Sequence, residues 1–124
     1  MECKEIIKLM ENIAPSQYKE DWDNVGLLVG RDDKVVKRIL VALDPTEHVI
    51  RQAVKNEIDM LITHHPLIFS GLKRINCNDH IGKKVFELAS HDIAYYATHV
   101  INAPNGSIEG DYVFAVIEDI AAAT

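Results

Sequence analysis

One stretch of the chain restricts its fold more than any other. Ile39-Leu40-Val41-Ala42-Leu43 is a continuous apolar run stopped by Asp44-Pro45. Short, uninterrupted and rich in branched residues, it fits a strand covered on both faces. Thr46 then stands as an N-cap and Glu47 adds negative charge to a first helical turn. Val49, Ile50, Ala53 and Val54 trace one helical face, and Met60-Leu61-Ile62-Thr63 follows as a further apolar run. Strand, helix and strand in so little chain make a βαβ unit, whose strands must be parallel. The expected fold class is α/β, with a mostly parallel sheet flanked by helices in a single domain over residues 1–124.

The flanking segments extend this unit. Residues 4–13 place Ile6, Ile7, Leu9, Met10 and Ile13 at helical spacing before Pro15. Val25-Gly26-Leu27-Leu28-Val29, bounded by Asn24 and Gly30, reads as a buried strand, and Arg31 to Lys34 as a charged turn. His64 to about Asn78 has no clear periodicity, and loops of this length in compact domains are often functional. Asp79 is placed to cap a helix carrying Ile81, Val85, Leu88 and Ala89, and Ile93 to Ala97 reads as a fourth strand. His99 to Asp111 is a loop with Pro104, Gly106 and Gly110. Val113, Phe114, Val116, Ile117, Ile120 and Ala121 then suggest a final helix.

Composition excludes several classes. Acidic residues outnumber basic ones 19 to 13, a formal charge of −6, so an overall basic footprint for direct nucleic-acid binding is missing. No run approaches the roughly 18 apolar residues of a membrane span. The charged start Met1-Glu2-Cys3-Lys4-Glu5 is unlike a secretory signal, and Cys3 and Cys77 form no disulfide framework, so a cytoplasmic setting is expected. There is no GxSxG elbow, Walker loop, GxGxxG or zinc-finger spacing.

What remains for chemistry gathers where strands end. Thr63-His64-His65-Pro66 directly follows a parallel strand, and ligands in open α/β sheets bind at carboxyl ends of strands. Successive side chains leaving a strand point to opposite sides, so the two imidazoles should diverge, each able to serve one of two neighbouring ions. Imidazole suits zinc, iron, manganese or nickel. The alternative is a pair of loop histidines meeting solvent or backbone. Thr98, His99 and Asn102 end the next strand and would converge on the same edge, or else Asn-Ala-Pro-Asn-Gly is simply a turn. Asp23 and Asp44 are carboxylates that serve as ligands, as general-base candidates, or as loop and turn residues. Trp22 reads as packing, and Cys77 with His80 is a weak nucleophile signal.

Together these stretches resemble one family, the GTP cyclohydrolase 1 type 2 homologues, also called the NGG-interacting factor three-like dinuclear-metal proteins. Trp22-Asp23-Asn24-Val25-Gly26-Leu27-Leu28-Val29-Gly30 is similar to its WDNxGLxxG signature. Val41-Ala42-Leu43-Asp44 before a helix resembles the next block, and Asp59-Met60-Leu61-Ile62-Thr63-His64-His65-Pro66-Leu67 resembles its DxxxTHHP metal motif. Order and approximate spacing are kept from about residue 2 to residue 110.

The resemblance implies that His64 and His65 each hold a different divalent transition metal ion, zinc, manganese, iron or nickel. It implies a metal-dependent hydrolase acting on a nucleotide-like substrate, in a fold that joins two halves and often forms a hexameric ring. The family draws its remaining ligands from an aspartate in an HTNLD block and a late His-x-x-x-Glu pair. Aligned through Tyr95-Tyr96-Ala97, that block falls on Thr98 to Asn102, so the aspartate is Asn102 and the histidine is Thr98, or His99 if the block slides by one. No His-x-x-x-Glu follows residue 91. The chain therefore reads as the first half of the family fold, from a truncated or divergent member. Two expectations follow: one ion rather than two, and a homo-oligomer or partner chain supplying the other half. The alternative function is a non-catalytic metal-binding regulatory or assembly module with a degraded site.

Overall fold

The computed structural model describes residues 1–15, 24–68, 70–98 and 115–117. Its elements run α1 (Cys3–Ile13), β1 (Gly26–Val29), β2 (Ile39–Ala42), α2 (Glu47–Lys55), β3 (Met60–Thr63), α3 (His80–Ser90), β4 (Ala94–Ala97) and β5 (Ala115–Ile117). The strands form one sheet in the order β1-β4-β3-β2-β5. β2, β3 and β4 are parallel, and β1 and β5 join its two margins antiparallel.

The βαβ unit forms as its residues dictate. Thr46 Oγ1 accepts the Val49 amide at 3.2 Å, so the first turn of α2 begins with a satisfied donor. Val49, Ile50 and Ala53 face the sheet and are buried. Asp79 likewise caps α3, its carboxylate accepting the Gly82 amide at 2.9 Å. α2 and α3 cover one face, where Leu40, Leu61, Leu88, Ile93 and Tyr95 make the larger core. α1 covers the other, where Cys3 and Ile6 meet Ile39, Met60, Ile62, Ala94 and Tyr96.

Three local expectations are corrected. Val113 to Ala121 is not a helix where it is described: Ala115–Ile117 pairs antiparallel with β2, Ile117 opposite Ile39. Branched residues suit a strand as well as a helix face, and the open edge of β2 decides between them. Coverage of β2 is also incomplete: Val41 is 38% exposed. The run before Gly30 lies at the sheet margin, where Val29 alone of Gly26–Val29 is buried. α1 itself carries a wider apolar stripe than the sheet can cover, with Leu9 and Ile13 exposed.

Asp59 shows how the amino edge of the sheet is tied. One of its carboxylate oxygens accepts the amides of Lys37 and Arg38 at 2.8 and 2.9 Å. The other lies 3.9 Å from the buried Lys34 ammonium, which also donates to the Asp92 carbonyl. Strand rise places Asp59 roughly 17 Å along β3 from His64. It therefore anchors the approach to β2 at the sheet edge opposite the histidines.

Candidate metal centre

β2, β3 and β4 end level, with Ala42 opposite Thr63 and Thr63 opposite Ala97. Asp44, His64-His65 and Thr98 therefore leave the sheet at one edge. The chain turns immediately after Thr63. The amides of His64 and His65 both donate to the Leu43 carbonyl, at 3.1 and 3.0 Å. That turn ends the strand pleat, so side-chain alternation stops with it. The imidazoles accordingly do not diverge: their centroids are 5.2 Å apart, with planes inclined by 40°.

Asp44 reaches this pair. Its carboxylate oxygen contacts His65 Nδ1, while its neighbour Thr46 caps α2. Ligand and turn chemistry at Asp44-Pro45-Thr46 were alternatives from the residues; here the carboxylate and the cap serve separate partners. Both side chains of the pair are partly exposed.

A buried hydroxyl network holds the His65 backbone. Thr63 Oγ1 donates to the His65 carbonyl at 2.6 Å and lies 2.6 Å from the Tyr95 hydroxyl. The Tyr95 oxygen accepts the Leu67 amide at 3.0 Å and sits 3.2 Å from the His65 carbonyl. A consistent assignment runs one way: Leu67 N–H to Tyr95, Tyr95 O–H to Thr63, Thr63 O–H to His65. Burial pushes the Tyr95 phenol up to about 12; its hydrogen bonds with Thr63 and Leu67 oppose this and the Asp44 charge reinforces it. Asn24 extends the bracing, its side-chain amide donating to the Ile68 carbonyl at 2.7 Å.

The remaining site residues divide. Thr98 donates its amide to the Thr63 carbonyl at 2.9 Å, and its buried Oγ1 has no hydrogen-bond partner among the described residues. Asp23, His99 and Asn102 lie outside the described residues. Among those described, no three His, Cys, Asp or Glu side chains converge as a metal-ligating group. Cys77 is exposed, as is His80, and no hydrogen bond joins them.

Residues 1–103 match the family model described as Duf34/NIF3 (NGG1p interacting factor 3). The chain belongs to the NIF3 family. A GTP cyclohydrolase 1 type 2 homolog of Clostridium perfringens is 41% identical over 99 residues, covering 80% of this chain and 38% of the relative. The crystal structure of Staphylococcus aureus protein SA1388 superposes with a TM-score of 0.75 at 37% identity, covering 80% of this chain and 32% of that one. Reduced HcgD from Methanocaldococcus jannaschii gives 0.74 at 40% identity, covering 80% and 40%. The chain thus spans well under half the length of these relatives, and its α/β architecture is that of their matched portion.

Within this NIF3 family chain, motif residues have separable tasks. Asn24 and Asp59 brace backbone, at opposite edges of the sheet, and Thr63 clamps the loop. Among the described residues, His64 pairs with His65 and His65 with Asp44 at the carboxyl edge. Tyr95 escaped the sequence reading, because an aromatic inside an apolar strand looks like packing alone. No helix among the described residues is long and apolar enough to cross a membrane.

Proposed function

We propose that this chain is a divalent-metal-binding member of the NIF3 family whose His64 and His65 supply the nitrogen donors, in a cytoplasmic protein that hydrolyses a nucleotide-like substrate. The observation that carries this reading is the pairing of two imidazoles on a clamped turn at the carboxyl end of a central parallel strand, one ring already held by a carboxylate. The donors fit zinc, manganese, iron or nickel in type, and they make up only part of a coordination sphere. When bound, such an ion acidifies water and polarises the scissile group. Asn102 is a neutral donor where the family's aspartate is expected, so one ion is favoured over two mutually repelling ones.

Beside His65 lies a depression of about 360 Å³ walled by Pro45, Pro66, Leu67 and Ile81, with Lys84 at its margin. Its mostly apolar walls suit a heterocycle, with Lys84 the cation open to a phosphate and the Asp44 carboxylate, also in the lining, engaged with His65. The relatives' description as GTP cyclohydrolase 1 type 2 homologs points to the same substrate class.

After dialysis against a chelator, the wild-type chain should take up Zn²⁺ or Mn²⁺, counted by elemental analysis. His64→Ala and His65→Ala should each lose most of that uptake. Uptake unchanged in both variants would sink the reading. Asn102 favours a second reading, a non-catalytic metal-binding module, and a GTP turnover assay on the loaded protein separates the two. Turnover lost in His64→Ala supports the hydrolase; binding without turnover supports the module.

We propose further that the chain associates with a second copy or a partner chain that adds donors to the site. The exposed Leu9, Ile13 and Val35 give such an association apolar surface to bury. Light scattering should show a mass above that of the single chain. A monomer across a wide concentration range would count against it.

A further inference from the structure

We infer that Asp44 is a positioning residue for His65: its carboxylate engages Nδ1, selects the tautomer protonated there, and presents Nε2 as the donor nitrogen. The inference rests on the metal-binding reading of the site only for its functional consequence. The geometry stands by itself. A carboxylate accepts but does not donate, so a neutral imidazole against it must carry its proton on the facing nitrogen.

Both partners are held independently of one another. Asp44 leaves β2 at the buried Pro45, whose ring fixes φ, and the next residue caps α2. His65 is tied on both sides of its Cα, its amide to Leu43 and its carbonyl to Thr63. The contact therefore joins two rigid supports, and ring orientation is set before any ligand arrives. An Asp44 oxygen spent on His65 also fits poorly with the general-base role open to it from the sequence. Carboxylates that hold a ligating histidine this way typically change metal affinity 10–100-fold when removed.

Two measurements test this, on wild type, Asp44→Ala and Asp44→Asn. Long-range ¹H–¹⁵N NMR of the metal-free chain, at a pH where imidazole is neutral, should show His65 protonated at Nδ1. In Asp44→Ala it should move toward the Nε2-protonated form. Asp44→Asn, whose amide oxygen still accepts, should retain more of the native tautomer, and it serves if the alanine variant fails to fold. Thr46→Ala, which removes only the adjacent cap, should lower Tm without moving the tautomer. Zn²⁺ titration should then show affinity about 10–100-fold weaker in Asp44→Ala and partly restored in Asp44→Asn. A His65 tautomer unchanged by both Asp44 substitutions overturns the inference, whatever the metal result. A tautomer that shifts in a protein whose wild type takes up no Zn²⁺ keeps the positioning role and overturns the metal reading instead.

Discussion

Gly30→Ala is expected to destabilise the chain by about 2–5 kcal/mol, read as a lower urea midpoint with an unchanged slope. Two costs combine. Gly30 has φ +100°, a region side-chain-bearing residues seldom enter. A Cβ there would sit 3.0 Å from Ala94 Cα and 3.3 Å from the Ile93 carbonyl oxygen. Both contacts are backbone at the start of β4, an interior strand paired on both sides, so no rotamer change relieves them. Gly26 separates the two costs. Its φ is +115°, yet nothing lies within 4 Å of its added Cβ. Gly26→Ala should therefore show only the conformational part, about 1–3 kcal/mol. Equal losses at the two positions would mean that the close approach of β1 to β4 contributes nothing.

The contrast between these glycines bears on what could be read from residues alone. Both stand in the signature stretch before Arg31, and nothing in their sequence neighbourhood separates them. Local signals were legible wherever local chemistry decides. The apolar runs of β2 and β3, the caps at Thr46 and Asp79, and the loop after Thr63 all follow from neighbours within a few positions. Features that depend on distant chain were not. Ala115–Ile117 is a strand because β2 offers an unpaired edge more than seventy residues earlier in the sequence. His64 and His65 lie side by side because Leu43, twenty-odd residues away, takes both their amides. Asp59 sits in the same motif as the histidines, and only strand direction reveals that it serves the opposite edge.

Tyr95 is the clearest case, and its hydroxyl carries the second large expectation. Tyr95→Phe should cost about 1–3 kcal/mol although it keeps the ring and creates no cavity of consequence. The loss is polar. Leu67 is 4% exposed and Thr63 is fully buried, so the Leu67 amide is left without its acceptor and Thr63 without one partner. Thr63 still holds the His65 carbonyl, so the substitution should loosen the loop from Pro66 onward more than the histidines themselves. Faster amide exchange at Leu67, with little change at His65, would report that order. The pH dependence gives an independent check. An unfolded tyrosine ionises near pH 10, whereas burial pushes the folded Tyr95 phenol up to about 12. Between those values the folded chain binds more protons than the unfolded one, so stability falls as pH rises. Phenylalanine has no such proton. The stability gap between wild type and Tyr95→Phe should therefore be widest below pH 10 and should narrow as pH approaches 12. A gap that stays constant through this window would mean the phenol is not shielded from water, and the clamp on the histidine loop would lose its main support.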